Sequence, residues 1–246
     1  MSELLYGIHS VLEALKAGRR KFEKIYVARR RSLKRLMSIT ELAATKHIPI
    51  QYEASAIFER TSNHIHQGIA AKVSPYPFVD LCRILEKSTT DRQAAFILVI
   101  DQIVDPQNLG SLIRSALAAG VHGIVTPRIR AASPSPTVSR VSAGAMEHAL
   151  IVCVTNVSEV LKMLRKEGIW IVGMVVGSNT DLYSVDFNMD VALVIGNEEK
   201  GIRPLVRKQC DFLVSIPQTK PVGSLNAAVA GAIALYEVVR QRSGRV

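Results

Sequence analysis

Residues 95–120 read AFILVIDQIVDPQNLGSLIRSALAAG, and the change of period inside this stretch decides the fold. FILVI at 96–100 is an unbroken apolar run of strand length, which needs cover on both faces, where a half-buried strand would alternate. After a turn set by Pro106, apolar residues from Leu109 to Ala119 fall at helical spacing and Gly120 stops the helix. A buried strand feeding a helix in this way is the repeating unit of a parallel sheet. The alternation continues with GIV at 123–125, a helix over Ser142–Ala149, VCV at 152–154 and a helix over Val157–Lys166. IWIVGMVV at 169–176, VALVIG at 191–196 and FLVSIP at 212–217 extend it, and a long helix over Ser224–Arg242 closes the chain. Residues 93–246 therefore read as one α/β domain.

Upstream the pattern is smaller in scale. Helical spacing over Ile8–Lys16, strand-like KIYVA at 24–28, a helix over Ser32–Lys46, a short strand at 48–52, a helical turn at Ser55–Arg60 and a strand at 69–73 make residues 1–73 a small α/β unit. Segment 74–92 opens with two prolines and ends polar, although 81–85 can form a helix, and it is the expected linker.

Lysine and arginine outnumber aspartate and glutamate by 31 to 21, a net charge of +10 over 246 residues. Residues 1–72 carry 13 basic and 6 acidic side chains, a net +7, leaving +3 for the rest. A polyanionic partner fits that distribution, with most of the electrostatic footprint in the N-terminal third. No run approaches the apolar length of a membrane span and Met1–Ser10 lacks the features of a signal peptide, so a cytoplasmic protein is expected. Cys82, Cys153 and Cys210 match no metal-ligand spacing, and the six histidines suggest neither a triad nor a metal site, so no metal is expected.

No G-x-G-x-x-G follows the first buried strand, which removes support for the usual dinucleotide fingerprint. GNEEKG at 196–201 has the glycine spacing of a phosphate loop but continues as Ile-Arg, and its two glutamates would repel phosphate. Three segments instead put polar residues just beyond buried strands, where open α/β sheets keep their ligand sites. In the first, 101–114, Asn108 can cap a helix or act in a site, and Arg114 can be solvated or functional. In the second, 193–202, Glu198 stands either in a tight ligand-facing turn or in the first turn of a helix. In the third, 216–237, Ser224 and Asn226 open a helix rich in small residues, as caps or as ligand groups.

Together these segments closely resemble the SpoU/TrmH family of the SPOUT methyltransferases. The motifs are D-P-x-N-x-G-x-x-x-R at 105–114, I-G-N-E-x-x-G-I at 195–202, I-P at 216–217 and S-L-N at 224–226. YGIHSVLEAL at 6–15 and HQGIAAKV at 66–73 resemble the family's substrate-binding domain, particularly in the branch acting on 23S ribosomal RNA. The resemblance implies a parallel-sheet SPOUT domain with a deep trefoil knot, preceded by a small RNA-binding α/β domain. It further implies a homodimer through knot-region helices. S-adenosylmethionine would be held by Gly196, Ile216, Leu225, Ser224 and Asn226, and Asn108, Arg114, Glu198, Ser224 and Asn226 would form the catalytic set. The implied reaction is 2′-O-ribose methylation of ribosomal RNA, at a guanosine of 23S rRNA in that branch.

A ribose 2′-hydroxyl is a poor nucleophile and a sulfonium methyl a good electrophile, so catalysis must orient the hydroxyl and help it lose its proton. The resemblance makes Arg114 the residue closest to that hydroxyl. Its pKa suits electrostatic positioning better than a base role, which stays open. Other substrates within the same chemistry are transfer RNA or an rRNA site whose methylation confers antibiotic resistance, and a non-catalytic RNA-binding protein is the alternative of another class.

Overall fold

A computed structural model describes residues 2–28, 36–53, 66–219 and 223–244. The chain forms two compact units, one of residues 1–77 with 134–148 and the other of 78–133 with 149–246.

The first unit is built on a four-stranded sheet of β1 (Glu3–Tyr6), β2 (Phe22–Ala28), β3 (Ile50–Glu53) and β4 (Ile69–Val73), in the order β1-β4-β2-β3. β4 is antiparallel to both neighbours, while β2 and β3 run parallel. Helices α1 (Ile8–Ala17) and α2 (Met37–Thr45) bury Val11, Leu15, Ile39 and Ala43 with Leu5, Ile25 and Val73 in its core. α1 ends as its sequence predicts, on Gly18 in a left-handed conformation. The strand at Glu3–Tyr6 has too little alternation to be read from sequence. The turn expected at Ser55–Arg60 and the first residues of the helix expected from Ser32 lie outside the described residues.

The parallel sheet of the second unit contains β5 (Phe96–Asp101), β6 (Gly123–Pro127), β7 (Ile151–Val154), β8 (Trp170–Met174), β9 (Val191–Gly196) and β10 (Phe212–Val214), in the order β10-β8-β9-β5-β6-β7. β5 and β9 are buried along their whole length, as their unbroken apolar runs require. One face is covered by α3 (Leu81–Asp91) and α6 (Val157–Lys166), which bury Ile84, Val160, Leu161 and Leu164 against Ile97, Val99 and Val194. Residues 81–91 of the expected linker are thus a helix of this unit. Ile84 is fully buried and fills the space that a side chain at Gly123 would need, its Cδ1 2.2 Å from where a Cβ would be.

On the other face, α4 (Pro106–Ala118) packs on α8 (Ala227–Arg242), the helix that follows the one-turn α7 (Pro204–Arg207) in the chain. Their contact explains the small residues of α8: a Cβ at Gly231 would come within 2.4 Å of Leu112 Cδ1. α8 begins three residues later than expected because Asn226 caps it, its Oδ1 accepting from the backbone N–H groups of Ala228 and Val229.

The helix expected at Ser142–Ala149 is not formed. A shorter helix, α5 (Pro136–Val141), starts earlier on the Ser135 cap with Pro136 in its first turn, and Ala143 and Gly144 in left-handed conformations end it. One 3₁₀ turn, Ala145–His148, follows. This segment is fixed within the first unit by Arg20, whose side chain is fully buried. Arg20 Nε and Nη2 donate to the two Glu147 oxygens at 2.7 and 3.2 Å, and Nη1 donates to Glu3 at 2.6 Å. The guanidinium also lies over the Tyr76 ring, and the Tyr76 hydroxyl donates to the Met146 carbonyl. Burial pushes the Tyr76 phenol up to about 12, so it stays a donor.

Candidate active site at the ends of β5 and β9

Strands β5, β6 and β7 run outward to one side of the sheet, and β9, β8 and β10 lie on the other. β5 and β9 are neighbours in register, with Asp101 opposite Gly196 at their C-terminal ends. Chain connections diverge there, which opens a crevice beyond the strand ends.

A cavity of about 390 Å³ occupies that end, lined by the loops after β8, β9 and β10 and by the start of α8. Its walls include Met174, Gly177, Gly196, Ile216, Ser224 and Leu225. Apolar walls, backbone groups and a few polar side chains make it suitable for a nucleoside-sized organic ligand.

The floor of the cavity is a turn that tolerates no side chain at Gly196. A Cβ there would lie 2.2 Å from the Gly201 carbonyl carbon and 2.3 Å from the Ile202 nitrogen. Asn197 and Gly201 close the turn with two reciprocal backbone hydrogen bonds of 3.0 Å. Asn197 Oδ1 accepts from the N–H groups of Glu199 and Lys200, and its Nδ2 donates to the Gln102 carbonyl. Asp101, fully buried, accepts from the Arg203 N–H at 2.8 Å and from its guanidinium Nε at 2.7 Å. Asn197, Asp101 and Arg203 were not among the residues expected from sequence. An asparagine inside a glycine-bounded turn and a carboxylate ending a buried strand are the signals that could have found them.

Beside the cavity three of the expected residues meet in one hydrogen-bonded chain. Asn226 Nδ2 donates to Asn108 Oδ1 at 2.8 Å, and Asn108 Nδ2 donates to Glu198 Oε1 at 2.8 Å. Glu198 Oε2 accepts from Asn197 Nδ2 at 3.2 Å. Asn108 is therefore not the cap of α4; Asp105 caps it by accepting from the Gln107 N–H, which leaves the Asn108 amide free to bridge two loops. Ser224, Leu225, Ile216 and Gly196 line the cavity itself. Arg114 stands apart, exposed on α4 one turn beyond Ser111, with no hydrogen bond or ion pair to any described residue. Among the described residues no group of three or more His, Cys, Asp or Glu side chains could hold a metal ion, and no helix is long and apolar enough to cross a membrane.

Comparison with known proteins matches residues 95–236 to the SpoU rRNA Methylase family and residues 4–79 to the RNA 2′-O ribose methyltransferase substrate binding family. The chain is 38% identical over 247 residues to the 23S rRNA (guanosine-2′-O-)-methyltransferase RlmB of Escherichia coli K12, covering 99% of this chain and 100% of that protein. It is 38% identical over 238 residues to RlmB of Coxiella burnetii, covering 97% and 95%. Among solved structures it is similar to the SpoU methyltransferase AviRb from Streptomyces viridochromogenes in complex with the cofactor AdoMet. That match has a TM-score of 0.83 and 29% identity, over 99% of this chain and 91% of the other.

Proposed function

This chain belongs to the SpoU rRNA methylase family, and we propose that its cavity holds S-adenosylmethionine while the Asn226–Asn108–Glu198 chain orders the loops that receive a ribose 2′-hydroxyl. The enzyme is an S-adenosylmethionine-dependent RNA 2′-O-methyltransferase that modifies ribosomal RNA in the cytoplasm, and its relatives favour a guanosine of 23S rRNA as the target. The observation that carries the assignment of roles is the union of the three motif segments, far apart in sequence, through two hydrogen bonds at the rim of one cavity.

The residues present fit the cofactor. The volume suits a nucleoside with an amino-acid tail, and the Gly196 turn and the 215–218 loop offer backbone groups to an adenine edge. Glu198, at the same wall, brings negative charge toward a sulfonium and an α-amino group. Bound S-adenosylmethionine supplies an electrophilic methyl group. The protein's task is then to hold the hydroxyl in line and to accommodate charge as its proton leaves. Arg114, whose charge is uncompensated by the described residues, is suited to the hydroxyl and the adjoining phosphate, and the Asn108 and Asn226 amides keep α4 and the start of α8 in fixed register.

The chain's course after β10, from one edge of the sheet back to α8 beside β9 and α4, supports a knotted C-terminus. A homodimer through α4 and α8 accounts for the exposure of Val229 and Tyr236 beside a groove lined by Gln107, Ser111 and Ile233, one turn from Arg114. The test is methyl transfer to rRNA in which only the target nucleotide is 2′-deoxy. Transfer should disappear while RNA binding persists, and Arg114→Ala should lower turnover far more than cofactor affinity. A deoxy substrate that still accepts a methyl group would overturn the reading.

A further inference from the structure

We propose that Arg128 and Arg130, on the loop that follows β6, bind phosphates of single-stranded RNA next to the acceptor nucleotide, with Ile129 between them seating an unstacked base. The inference rests on the RNA methyltransferase reading above and adds to it a substrate contact on the catalytic unit.

Four observations converge on this loop. β6 is parallel to β5, so residues 128–132 leave the sheet at the same end as Asp101 and Gly196. The loop is also tied to the site. The Ala132 N–H donates to the Ile103 carbonyl at 2.8 Å, and the preceding residue, Gln102, gives its carbonyl to Asn197 of the cofactor turn at 2.9 Å. Two consecutive peptide groups thus join the 128–132 loop to the turn beneath the cavity.

The side chains are unspent. Arg128, Ile129 and Arg130 are all exposed, Ile129 by 62%, and neither guanidinium has a hydrogen bond or ion pair with any described residue. Elsewhere in the unit Arg83, Arg165, Arg203, Arg240 and Arg242 are engaged by carboxylates or carbonyls, whereas Arg92, Arg114 and Arg207 share the bare state of the loop pair. The backbone is strained as well: Arg130 has φ 57°, and Gln102, next to the Ile103 that pairs with Ala132, has φ 66°. Left-handed conformations are unfavourable for non-glycine residues. Such strain persists where a site requires the geometry.

Two bare cations flanking an exposed apolar side chain match single-stranded RNA, which offers phosphates at short intervals and bases free to leave the stack. On a chain of an RNA-methylating family, and at the strand ends that carry the Gly196 turn, this match favours RNA over an acidic protein surface.

The experiment uses the full chain and unmodified, in vitro transcribed 23S rRNA. In the double variant Arg128→Gln, Arg130→Gly, the glycine accepts the left-handed backbone without strain and removes only the side chain. RNA affinity at moderate salt should fall roughly tenfold, and the slope of log affinity against log salt should flatten by about 1.4, two single-strand phosphates at ~0.7 each. S-adenosylmethionine affinity and turnover at saturating RNA should be unchanged. Ile129→Ser should weaken binding without altering the slope, since it removes a base contact and no charge. Wild-type affinity and slope in the double variant would overturn the site, and an acidic protein partner would give that result. Binding is read without turnover, so a wild-type chain that binds RNA but transfers no methyl group to it would refute the methyltransferase reading separately.

Discussion

Replacing Gly196 by alanine adds one methyl group, and the structure says where it would go. The new carbon would sit 2.2 Å from Gly201 C, 2.3 Å from Ile202 N and 2.6 Å from Gly201 O, all backbone atoms, so no rotamer relieves the clash. Carbon atoms in contact prefer about 3.5–4.0 Å, so β9 and the 201–202 peptide must part by more than about 1 Å. That separation breaks the two reciprocal Asn197–Gly201 hydrogen bonds. At about 1 kcal/mol for each bond and 1–3 kcal/mol for the forced backbone shift, the loss is roughly 3–5 kcal/mol. For a chain of this size that lowers Tm by roughly 10 °C. S-adenosylmethionine affinity, measured calorimetrically below the melting range, should fall at least about tenfold, since the turn is the cavity's floor. Gly201→Ala is the internal control. Gly201 has φ 65° but nothing within 4 Å of its missing Cβ, so only the conformational penalty of about 1 kcal/mol applies. Equal effects of the two substitutions, or wild-type melting of Gly196→Ala, would refute the reasoning.

Two further outcomes follow from buried groups. Arg20→Met strands the buried Glu147 carboxylate and should cost about 3–5 kcal/mol in urea unfolding, whereas the double change Arg20→Met, Glu147→Met should restore much of it; a single variant as stable as the wild type would contradict the pairing. Burial holds the His122 imidazole below its ordinary range, although Asp91 pulls the other way, and Nδ1 accepts the Phe96 N–H. The unfolded chain then binds more protons than the folded one as pH falls below about 6.5, so stability is full above that value and is lost as pH drops through the folded pKa. Urea midpoints from pH 7.5 to 5 should show that decline, and His122→Gln should make it shallower; identical profiles would remove His122 from the account.

Much of the second unit is legible because its strands are buried on both faces and therefore read as unbroken apolar runs; β5, β9 and α6 lie where the pattern puts them. The stretch between β6 and β7 is hard to place because Ser142–Ala149 has apolar residues at tolerable helical spacing, while the stronger start signal, Ser135 followed by Pro136, lies upstream. Its tie to the first unit depends on Arg20 meeting Glu147 across 127 positions, which no local pattern reveals. At the site, Asn108, Glu198 and Asn226 could be named from motif segments, but their mutual contacts arise only when β5 and β9 become neighbours. Asn197 and the Asp101–Arg203 pair escaped notice because they act on the backbone, shaping the turn beneath the ligand.

The chemical character of the site follows from what lines it. Among the described residues, the cavity wall contains no histidine, lysine, arginine, cysteine or tyrosine; its titratable groups are Glu198 and Glu199. Glu198 already accepts two amide hydrogen bonds, which occupy both of its oxygens. A wall of this kind is poorly suited to drawing a proton from a ribose hydroxyl, whose acidity is far from that of a carboxylic acid. It is well suited to fixing position: amides keep the same donors and acceptors across the whole neutral range, and the closely packed Gly196 turn cannot yield without losing its own hydrogen bonds. The burden of charge therefore passes to a cation outside the wall. In the proposed reaction that cation is Arg114 on α4, whose positive charge is uncompensated by any described residue. Rate enhancement in such a site arises chiefly from alignment of hydroxyl and methyl group, worth up to about 7–11 kcal/mol when the reacting atoms are held in contact. That magnitude explains why so much of the local sequence is spent on holding three loops in register.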